Sequence, residues 1–431
     1  MAALLVAALP GLPLIGALAA LALPGARREA RRHLAAGVAA GTALLGLAAA
    51  WLAWRGEAPV LDLPWADALG ARLALRADGV ALWPLLAASL ITLGVLEAGE
   101  GRDRRRAATI LLLLAALAGG FLSVDLLLYA FLWVGAAVAA FLLAGAWGGA
   151  RRIYAAQKML ILSMASGLLI LGAGLHLATA CHARTGLWTC DPAALAAAAP
   201  AGTASGCALA LILAMALRLP LAPFHTWLAD LLAAAPPGSR PLLAAMAPLT
   251  AVHGLLRLVL PLQPAAPWLP VLAAAGAAWT GLAAMGHADP RRALALAQVS
   301  LGSLAPLTLV VAGTADALPA VCILVLFLGG ILGVLAGAER TAPRGDLAAR
   351  DEVAPLARGR RRLGNLLGQV AALPASWFLL VIARPVLARG GIPIGFAAAM
   401  AVLGYLAAMR TILLWPRRLA GGWRDAGEAA P

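Results

Sequence analysis

The sequence predicts an all-α polytopic membrane protein with about 13 transmembrane helices, within a range of about 12 to 14. Composition is the first reason: 63% of the 431 residues are hydrophobic and only 12% are charged, which leaves too little polar surface for a soluble protein of this size. The second reason is spacing. Apolar segments of roughly 20 residues, the length that crosses a bilayer as a helix, follow one another along the chain.

These apolar segments define the predicted helices in order. They lie near 2–24, 34–54, 79–98, 107–123, 125–147, 154–179, 203–224, 241–262, 268–287, 293–313, 317–337, 365–388 and 392–415. The first segment has no basic residues before it and is long enough to span, so we interpret it as a helix rather than a cleavable signal peptide.

The arginines form short clusters between the apolar segments and account for the net charge of +14. No aromatic residues are interleaved with them, so topology explains them better than nucleic-acid binding does. If 27–32 is cytoplasmic, strict alternation of the helices places all the remaining basic clusters on the cytoplasmic side as well. These clusters are 102–106, 151–152, 240, 291–292, 340–362 and 417–418. The pattern predicts a bacterial inner-membrane protein with its N-terminus outside and its C-terminus in the cytoplasm. The charged segment 338–364 is then a solvated cytoplasmic connection, or alternatively a contact for anionic lipid or an acidic partner surface.

Cysteine and histidine positions indicate no metal or cofactor site. Cys181 and Cys190 lie in one predicted outer loop, 181–202, where a disulfide and two free thiols are both open. The six histidines are scattered without ligand spacing, and neither a CxxC motif nor a phosphate-binding loop is present in the sequence. We therefore expect neither metal nor cofactor.

The segment around Arg218 has the pattern of a broken membrane helix. Pro220, Pro223 and His225 follow Arg218 within seven residues at the end of the apolar segment 203–224. Proline removes backbone donors and blocks the hydrogen bond of the preceding turn, and in lipid such freed groups persist only against protein or a water-filled cavity. An arginine at the same place is costly in hydrocarbon, so it needs polar surroundings.

The chain contains six motifs whose order and spacing along the sequence are informative when they are taken together. They are 217–230, Asp78 to Leu82, Phe121 to Leu128, Ala146 to Lys158, Gly254 to Arg257 and Asp289 to Ala295. This arrangement resembles the antiporter-like subunits of respiratory complex I, above all subunit M, the relative of mitochondrial subunit 4 and of Mrp-type cation/proton antiporters. The resemblance covers roughly 75–320, and the remainder agrees by hydropathy alone.

The resemblance implies a particular architecture. Helices 1–3 (1–106) would precede two inverted five-helix repeats at 107–262 and 268–415, followed by a cytoplasmic tail at 416–431. Each repeat would contain a discontinuous helix, whose half-helix ends can solvate charge at the bilayer midplane. The first would be 203–224, broken at Pro220 and Pro223; the second would be 365–388, broken near Pro374 and Pro385.

The resemblance also implies a chain of buried ionisable groups that pass protons, and here the sequence departs from the family. Val134, directly after Trp133, stands where a glutamate is expected, and Leu249 stands where a lysine is expected. Arg218 replaces a further lysine, and arginine does not lose its proton as lysine does. Lys158, the single lysine of the chain, matches a family lysine.

The candidate proton-path residues carry a structural alternative each. The candidates are Lys158, Arg218, His225, His253, Arg257, Gln298 and Arg384, the last lying before Pro385. For Arg218 the alternative is that it pairs with Asp230 or caps carbonyl groups freed by Pro220. For Lys158 it is that the side chain snorkels towards the membrane interface. The others make His225 a hydrogen-bonding residue at the membrane interface and assign His253 and Arg257 to helix packing. Gln298 and Ser300 would link helices by hydrogen bonds.

The leading hypothesis is a membrane-arm subunit of a complex I-like NADH:quinone oxidoreductase that takes part in proton translocation coupled to electron transport. Its partners would be other membrane-arm subunits and the bilayer, with no nucleic acid and no catalytic centre in this chain. The replaced charges at Val134 and Leu249 favour weakened or altered proton transfer. Two alternatives remain open: a transport-inactive scaffold, or a cation/proton antiporter-type subunit of an Mrp, hydrogenase or inorganic-carbon uptake complex.

Overall fold

The computed structural model describes residues 2–24, 27–219, 221, 224–262, 268–287, 289–305 and 322. These residues are mostly helical. The helices are α1 (Ala2–Ala22), α2 (Arg28–Trp54), α3 (Gly79–Glu97), α4 (Arg104–Leu122), α5 (Leu126–Trp147), α6 (Arg152–Thr185), α7 (Pro192–Ala198), α8 (Ala201–Arg218), α9 (Thr226–Ala234), α10 (Arg240–Gly254), α11 (Trp268–Gly286) and α12 (Pro290–Ser303). A π-helical turn, Leu255–Val259, continues α10.

Eight helices of the described part are long and apolar enough to cross a membrane. They are α1 to α6, α8 and the segment Pro237–Val259 that contains α10. The predicted segments from the first to the ninth each overlap one of the observed helices. The ends differ by six residues at the start of α2, the end of α6 and the end of α8, and by eight at the end of α10, which the π-helical turn continues. The chain is thus a multi-pass membrane protein. The tenth predicted helix, 293–313, overlaps α12, but its residues after 305 lie outside the described ones. The predicted helices 365–388 and 392–415 lie wholly outside the described residues, as does 317–337 except for residue 322, so the count of 13 and the two inverted repeats stay predictions.

A β-hairpin corrects the all-α expectation. Strands β1 (Val60–Ala66) and β2 (Ala71–Arg76) pair antiparallel between α2 and α3. Arg72 and Arg76 are exposed on one face of β2, whereas Ala71 and Leu75 are buried on the other, and Gly70 adopts φ +63° in the connection, a conformation that glycine adopts readily. The interval between two membrane helices, read from hydropathy as a plain loop, is therefore a folded unit.

Aspartates begin four of the helices. The carboxylates of Asp78, Asp103, Asp125 and Asp191 each accept a backbone N–H in the first turn of α3, α4, α5 and α7 respectively. Such caps satisfy donors that have no partner within the helix and place a negative charge at the positive end of its dipole. The membrane helices consequently start at fixed residues.

Basic clusters that are far apart in sequence meet at one end of the helices. Arg31 Nη1 donates to the Arg102 carbonyl (2.8 Å), and Arg102 Nε pairs with Glu29 (2.6 Å). At the same end, Arg106 pairs with buried Glu100 (2.7 Å), whose carboxylate also accepts a hydrogen bond from Ser239. Two of the clusters that alternation assigns to one side, 27–32 and 102–106, are thus in direct contact, and Ser239, next to Arg240, contacts Glu100 at the same end.

Cys181 and Cys190 are free thiols in the structure. Cys181 lies in the last turn of α6, and Cys190 Sγ is 3.5 Å from the carbonyl oxygen of Leu69. The predicted loop 181–202 is partly helical, because α6 extends to Thr185 and α7 lies within it. Of the two alternatives for these cysteines, the structure has the free thiols.

Candidate functional site

The site begins at an interruption between α8 and α9. Residues 219–225 separate the two helices. Trp227, at the start of α9, is buried and donates its indole N–H to the Leu217 carbonyl (3.0 Å), one of the acceptors left over at the end of α8. Pro220 and Pro223, the predicted helix-breaking residues, lie outside the described residues.

Arg218, the last residue of α8, is buried and surrounded by neutral groups. Its side chain is 1% exposed, Nη1 donates to Ser163 Oγ on α6 (2.8 Å), and Nε approaches Thr250 Oγ1 on α10 (3.4 Å). The guanidinium carbon lies 5.0 Å from the centre of the Trp133 ring on α5, within reach of a cation–π attraction. Neither sequence-based alternative for Arg218 is observed, since its hydrogen bonds go to two hydroxyls rather than to Asp230 or to a described carbonyl.

Asp230 on α9 instead holds two other cations. Lys158 Nζ on α6 is 2.6 Å from one carboxylate oxygen, and Arg292 Nη2 on α12 is 2.7 Å from the other. Asp230 is 13% exposed, Lys158 26% and Arg292 42%. One carboxylate therefore connects the interrupted helix to α6 and to α12, and it carries one negative charge for two positive ones.

His225 lies next to this ion cluster. It is half-buried directly before α9, and the positive charge of Lys158 acts on its ring. Its Nδ1 has no hydrogen-bond partner among the described residues. The structure thus places two of the sequence-predicted residues, Lys158 and His225, near each other and near Asp230.

His253, on α10, is enclosed by aromatic rings. Its ring stacks on Tyr129 (centroids 5.7 Å apart, planes 15° apart) and meets Phe121 edge-on (5.3 Å). Tyr129 Oη in turn approaches the Thr250 carbonyl oxygen (3.4 Å). His253 is fully buried, so it belongs to the same buried layer as Arg218.

Arg257 faces the other end of this layer. It lies in the π-helical turn after α10, and its two terminal nitrogens donate to the two carboxylate oxygens of Asp78 at 2.8 Å each. Asp78 simultaneously caps α3 by accepting from Ala81 N (3.0 Å). Among the described residues Arg257 pairs with Asp78, while His253 packs against aromatic rings.

The remaining candidates have less structural support. Gln298 on α12 is buried, and its Nε2 lacks a partner among the described residues. Ser300 donates to the Ala277 carbonyl on α11 (2.7 Å), as the helix-linking alternative expects. Arg384, Pro374 and Pro385 lie outside the described residues.

Val134 and Leu249 are apolar in their surroundings as well as in their identity. Leu249 is fully buried on α10. Val134 packs so closely on α6 that a Cβ on Gly167 would lie 3.0 Å from its Cγ2. Neither position contributes charge near Arg218.

The structure assembles these residues into what we call the polar column. Its members are Lys158, Asp230, Ser163, Arg218, Thr250, Tyr129, His253, Arg257 and Asp78. An ion pair stands at each end, and the buried middle holds hydroxyls, rings and one cation. Lys158 and Ser163 are five positions apart on α6, about 7.5 Å along the helix, so the column is not a continuous hydrogen-bonded wire.

Sequence reasoning missed Asp78, Tyr129, Arg292 and the sharing of Asp230. Asp230 belongs to the same motif as His225, and Asp78, Arg257 and Arg292 each lie in one of the other motifs. The motifs therefore marked these residues, but they did not indicate that Asp78 pairs with Arg257, 179 positions away. In the part of the chain that the structure describes, no group of three or more His, Cys, Asp or Glu side chains could hold a metal ion.

Comparison with known proteins gives consistent results. Residues 123–416 match the family model described as NADH:quinone oxidoreductase/Mrp antiporter, TM. NADH-quinone oxidoreductase subunit M of Escherichia coli (strain K12) is 31% identical over 265 residues, which are 57% of this chain and 51% of that protein. The chain therefore spans about half the length of the curated relatives it matches.

Two solved structures share the fold. A chain of respiratory complex I from Thermus thermophilus with bound NADH superposes with a TM-score of 0.80 at 21% identity, covering 96% of this chain and 88% of that chain. A chain of the Mrp complex from Dietzia sp. DQ12-45-1b gives 0.73 at 22% identity, covering 97% and 46% respectively.

Proposed function

Since the chain belongs to the NADH:quinone oxidoreductase/Mrp antiporter family of transmembrane proteins, we propose that it is a membrane-arm subunit of a complex I-like NADH:quinone oxidoreductase. In that assembly it takes part in proton translocation coupled to electron transport. Its partners are other membrane-arm subunits, and these and the peripheral subunits carry the redox chemistry.

The observation that carries this proposal is the sharing of Asp230 by Lys158 and Arg292. Lys158 belongs to the predicted first repeat and Arg292 to the predicted second repeat. In this proposal, a movement of the carboxylate towards one cation weakens its bond to the other, and this couples the charge states of the two halves. Ionisable groups inside membrane proteins mark proton relays, and a shared acid is a physical means of passing a charge change along the membrane.

The two cations have different chemistry, which gives the coupling a direction. Arginine stays protonated, whereas a lysine that loses its counter-charge in a low-dielectric site holds its proton less strongly. Lys158 is therefore the proton-carrying member and Arg292 the fixed charge.

Proton transfer through the middle of the chain is weakened. Arg218 cannot relay a proton, and Val134 and Leu249 cannot titrate. The residues beside Arg218 are two hydroxyls and a tryptophan ring, with no carboxylate in contact among the described residues.

The basic end of the helix bundle is the cytoplasmic end in this proposal. The contacts of Arg31 with Arg102 and of Arg106 with Glu100 support it, because the clusters that alternation assigns to one side lie together. The N-terminus of α1 is then outside the cell and the C-terminus inside.

The host complex is tested by mass spectrometry of gently solubilised membranes after pull-down through a tag on this chain. We expect quinone-reductase subunits together with homologous antiporter-like subunits. Recovery of the chain alone, or with partners that carry no redox centre, would contradict the complex I-like assignment and favour an antiporter or uptake complex.

Charge-conserving variants test the proton-carrying role. Lys158→Arg keeps the ion pair with Asp230 but removes a proton that can leave, so we expect normal assembly, normal quinone reduction and fewer protons moved per electron in inside-out vesicles. Arg102→Lys is the control: it keeps a cation beside Glu29 in an exposed pair outside the polar column, so pumping should be retained.

A scaffold without transport is the second candidate, and the apolar residues Val134 and Leu249 favour it. It predicts that Lys158→Arg leaves the proton-to-electron ratio of the assembled complex unchanged. That result would refute the role assigned to Lys158 while leaving the pull-down result intact.

A further inference from the structure

The β-hairpin between α2 and α3 has one apolar and one polar face. The strand register places four leucines on the same face; they are Leu61, Leu63, Leu73 and Leu75. Leu75 is buried, and Leu61 and Leu73 pack partly buried against the helices, whereas Leu63 is 48% exposed. The opposite face carries the exposed ion pair between Asp62 and Arg72. The apolar face is therefore turned towards the helices, and Leu63 lies at its uncovered margin.

A β-bulge redirects the next aromatic residue of β1. The pairing register shifts between Pro64 and Ala66, which makes Trp65 the extra residue of the bulge. A bulge bends its strand and re-aims a side chain. The Trp65 ring, whose residue is 50% exposed, meets the Phe131 ring of α5 edge-on, with centroids 5.5 Å apart and planes 74° apart. The hairpin thus touches the side of a membrane-spanning helix.

The side of α5 that Trp65 touches is apolar and exposed. Phe131 is 56% exposed, and Val138 and Leu142, seven and eleven residues further along, are exposed on the same face. Phe131 lies five residues, or about 7.5 Å, below the first residue of α5. The 22 residues of α5 are about as long as the ~30 Å hydrocarbon core is thick. Trp65 is therefore at the depth of the boundary between hydrocarbon and head groups.

The exposed tryptophans are concentrated at the same end of the helices. Of the six tryptophans whose side chains the structure describes as exposed, five lie in the hairpin or within four residues of a helix end beside it; they are Trp51, Trp54, Trp65, Trp83 and Trp188. The sixth, Trp279, lies in the middle of α11. Tryptophan is enriched at membrane–water interfaces because its ring is apolar while its N–H forms hydrogen bonds. This concentration marks the bilayer surface at the level of the hairpin.

From these observations we propose that the hairpin is a lipid-binding element that rests in the membrane interface, with Trp65 and Leu63 inserted between phospholipid head groups and the upper acyl chains. Phospholipid is the occupant because Trp65 continues the exposed apolar face of α5, while the face with Asp62 and Arg72 is left to water. The backbone N–H of Arg72 also donates to Asp125, directly before α5 (2.8 Å), so the hairpin fixes the depth of α5 in the bilayer. The inference holds for any transport role of the chain.

Photo-crosslinking in intact membranes tests the proposal. The tagged full-length chain carries Trp65→benzoylphenylalanine in its host cells, the membranes are irradiated, and the adducts are identified by mass spectrometry. The same replacement at Val138 is the reference for lipid, and at Asp67, which is exposed in the connection between the strands, it is the reference for water. We expect phospholipid adducts at position 65 with a yield close to that at Val138 and on the order of tenfold above that at Asp67, because transfer of a large apolar side chain out of water is favoured by at least this factor.

Three results would overturn the proposal. Cross-links from position 65 to another protein would identify this surface as a joint with a second subunit or a second copy of the chain. The absence of adducts at 65, together with phospholipid adducts at Val138, would place the hairpin in water. Protein cross-links at both positions would show that the whole face of α5 is covered by protein. If the Trp65 variant is not inserted into the membrane, Leu63→benzoylphenylalanine decides the question, because it probes the same surface and leaves Trp65 in place.

Discussion

The ion pair between Asp78 and Arg257 provides the most direct quantitative prediction, because its two residues can be perturbed separately. Asp78 performs two tasks: it caps α3 through Ala81 N and binds Arg257 through two parallel hydrogen bonds. Asp78→Asn retains the capping oxygen and removes the charge, since Asn and Asp are about equally good caps. Asp78→Ala removes both.

The expected magnitude follows from partial burial. The side chains of Asp78 and Arg257 are 25% and 13% exposed, which lies between a surface pair and a buried one. Exposed pairs contribute about 0.2–1 kcal/mol, whereas breaking a fully buried pair costs about 3–5 kcal/mol. We expect a coupling free energy of about 1–2 kcal/mol between the two residues, and a further loss of about 1 kcal/mol when Asp78→Ala removes the cap as well.

A double-mutant cycle measures this coupling. The free energy of unfolding is determined by titration with denaturing detergent in mixed micelles for the wild type, Asp78→Asn, Arg257→Met and the double variant. A coupling below about 0.3 kcal/mol, the usual error of additivity, would refute the conclusion that this pair joins α3 to the π-helical turn. Equal losses in Asp78→Asn and Asp78→Ala would refute the capping role.

Three further predictions concern residues outside the membrane-spanning segments. Burial raises the pKa of the Asp78 carboxyl, but the hydrogen bonds and charge of Arg257 and the bond from Ala81 N outweigh this and hold it below 3.8. The ion pair should therefore make its full contribution to the free energy of unfolding above about pH 4 and lose it as the pH falls through the pKa of the folded state. Detergent titrations at several pH values measure this loss. The stability of Asp78→Asn should not show this pH dependence over the same range. Gly70→Ala should lower the free energy of unfolding by about 1–2 kcal/mol, because φ is +63° and a Cβ there would collide with the Trp188 carbonyl; Gly56→Ala, with positive φ but open space, is the control and should cost less. Burial raises the pKa of the Cys190 thiol to about 11, so maleimide should label Cys190 of the folded chain slowly at neutral pH, and the labelling rate should increase about tenfold per pH unit. Mass spectrometry measures this rate, with Cys190→Ser as the reference. A rate that does not depend on pH would contradict this environment of the thiol.

The membrane helices were predictable because their signal is local. A bilayer demands about 20 apolar residues, and the segments that satisfy this demand coincide with α1 to α6 and α8 within a few residues at most ends. The aspartates that begin four helices also follow from local chemistry. The hairpin between α2 and α3 escaped prediction because a hydropathy window averages over the alternation that marks a strand.

The site was predictable only in part. The cation and the interruption at Arg218 stand together in one short segment, so the sequence indicates a polar position inside the membrane. The ion-pair partners could not be predicted in this way, because Lys158 and Asp230 are 72 positions apart in the sequence and Asp78 and Arg257 are 179 apart. Hydropathy says nothing about which face of one helix meets which face of another.

The sequence by itself thus determined that the chain crosses the membrane many times, where most of its helices begin and end, and that a cation lies at a broken helix. Only the tertiary structure decided that Asp230 is shared by Lys158 and Arg292, and that the described residues in contact with Arg218 offer hydroxyls and an indole. The physical reason is the distance along the chain over which each feature is determined. Helix formation in a bilayer depends on consecutive residues, whereas the pairing of charges depends on how separate helices rotate and pack, which no single segment specifies.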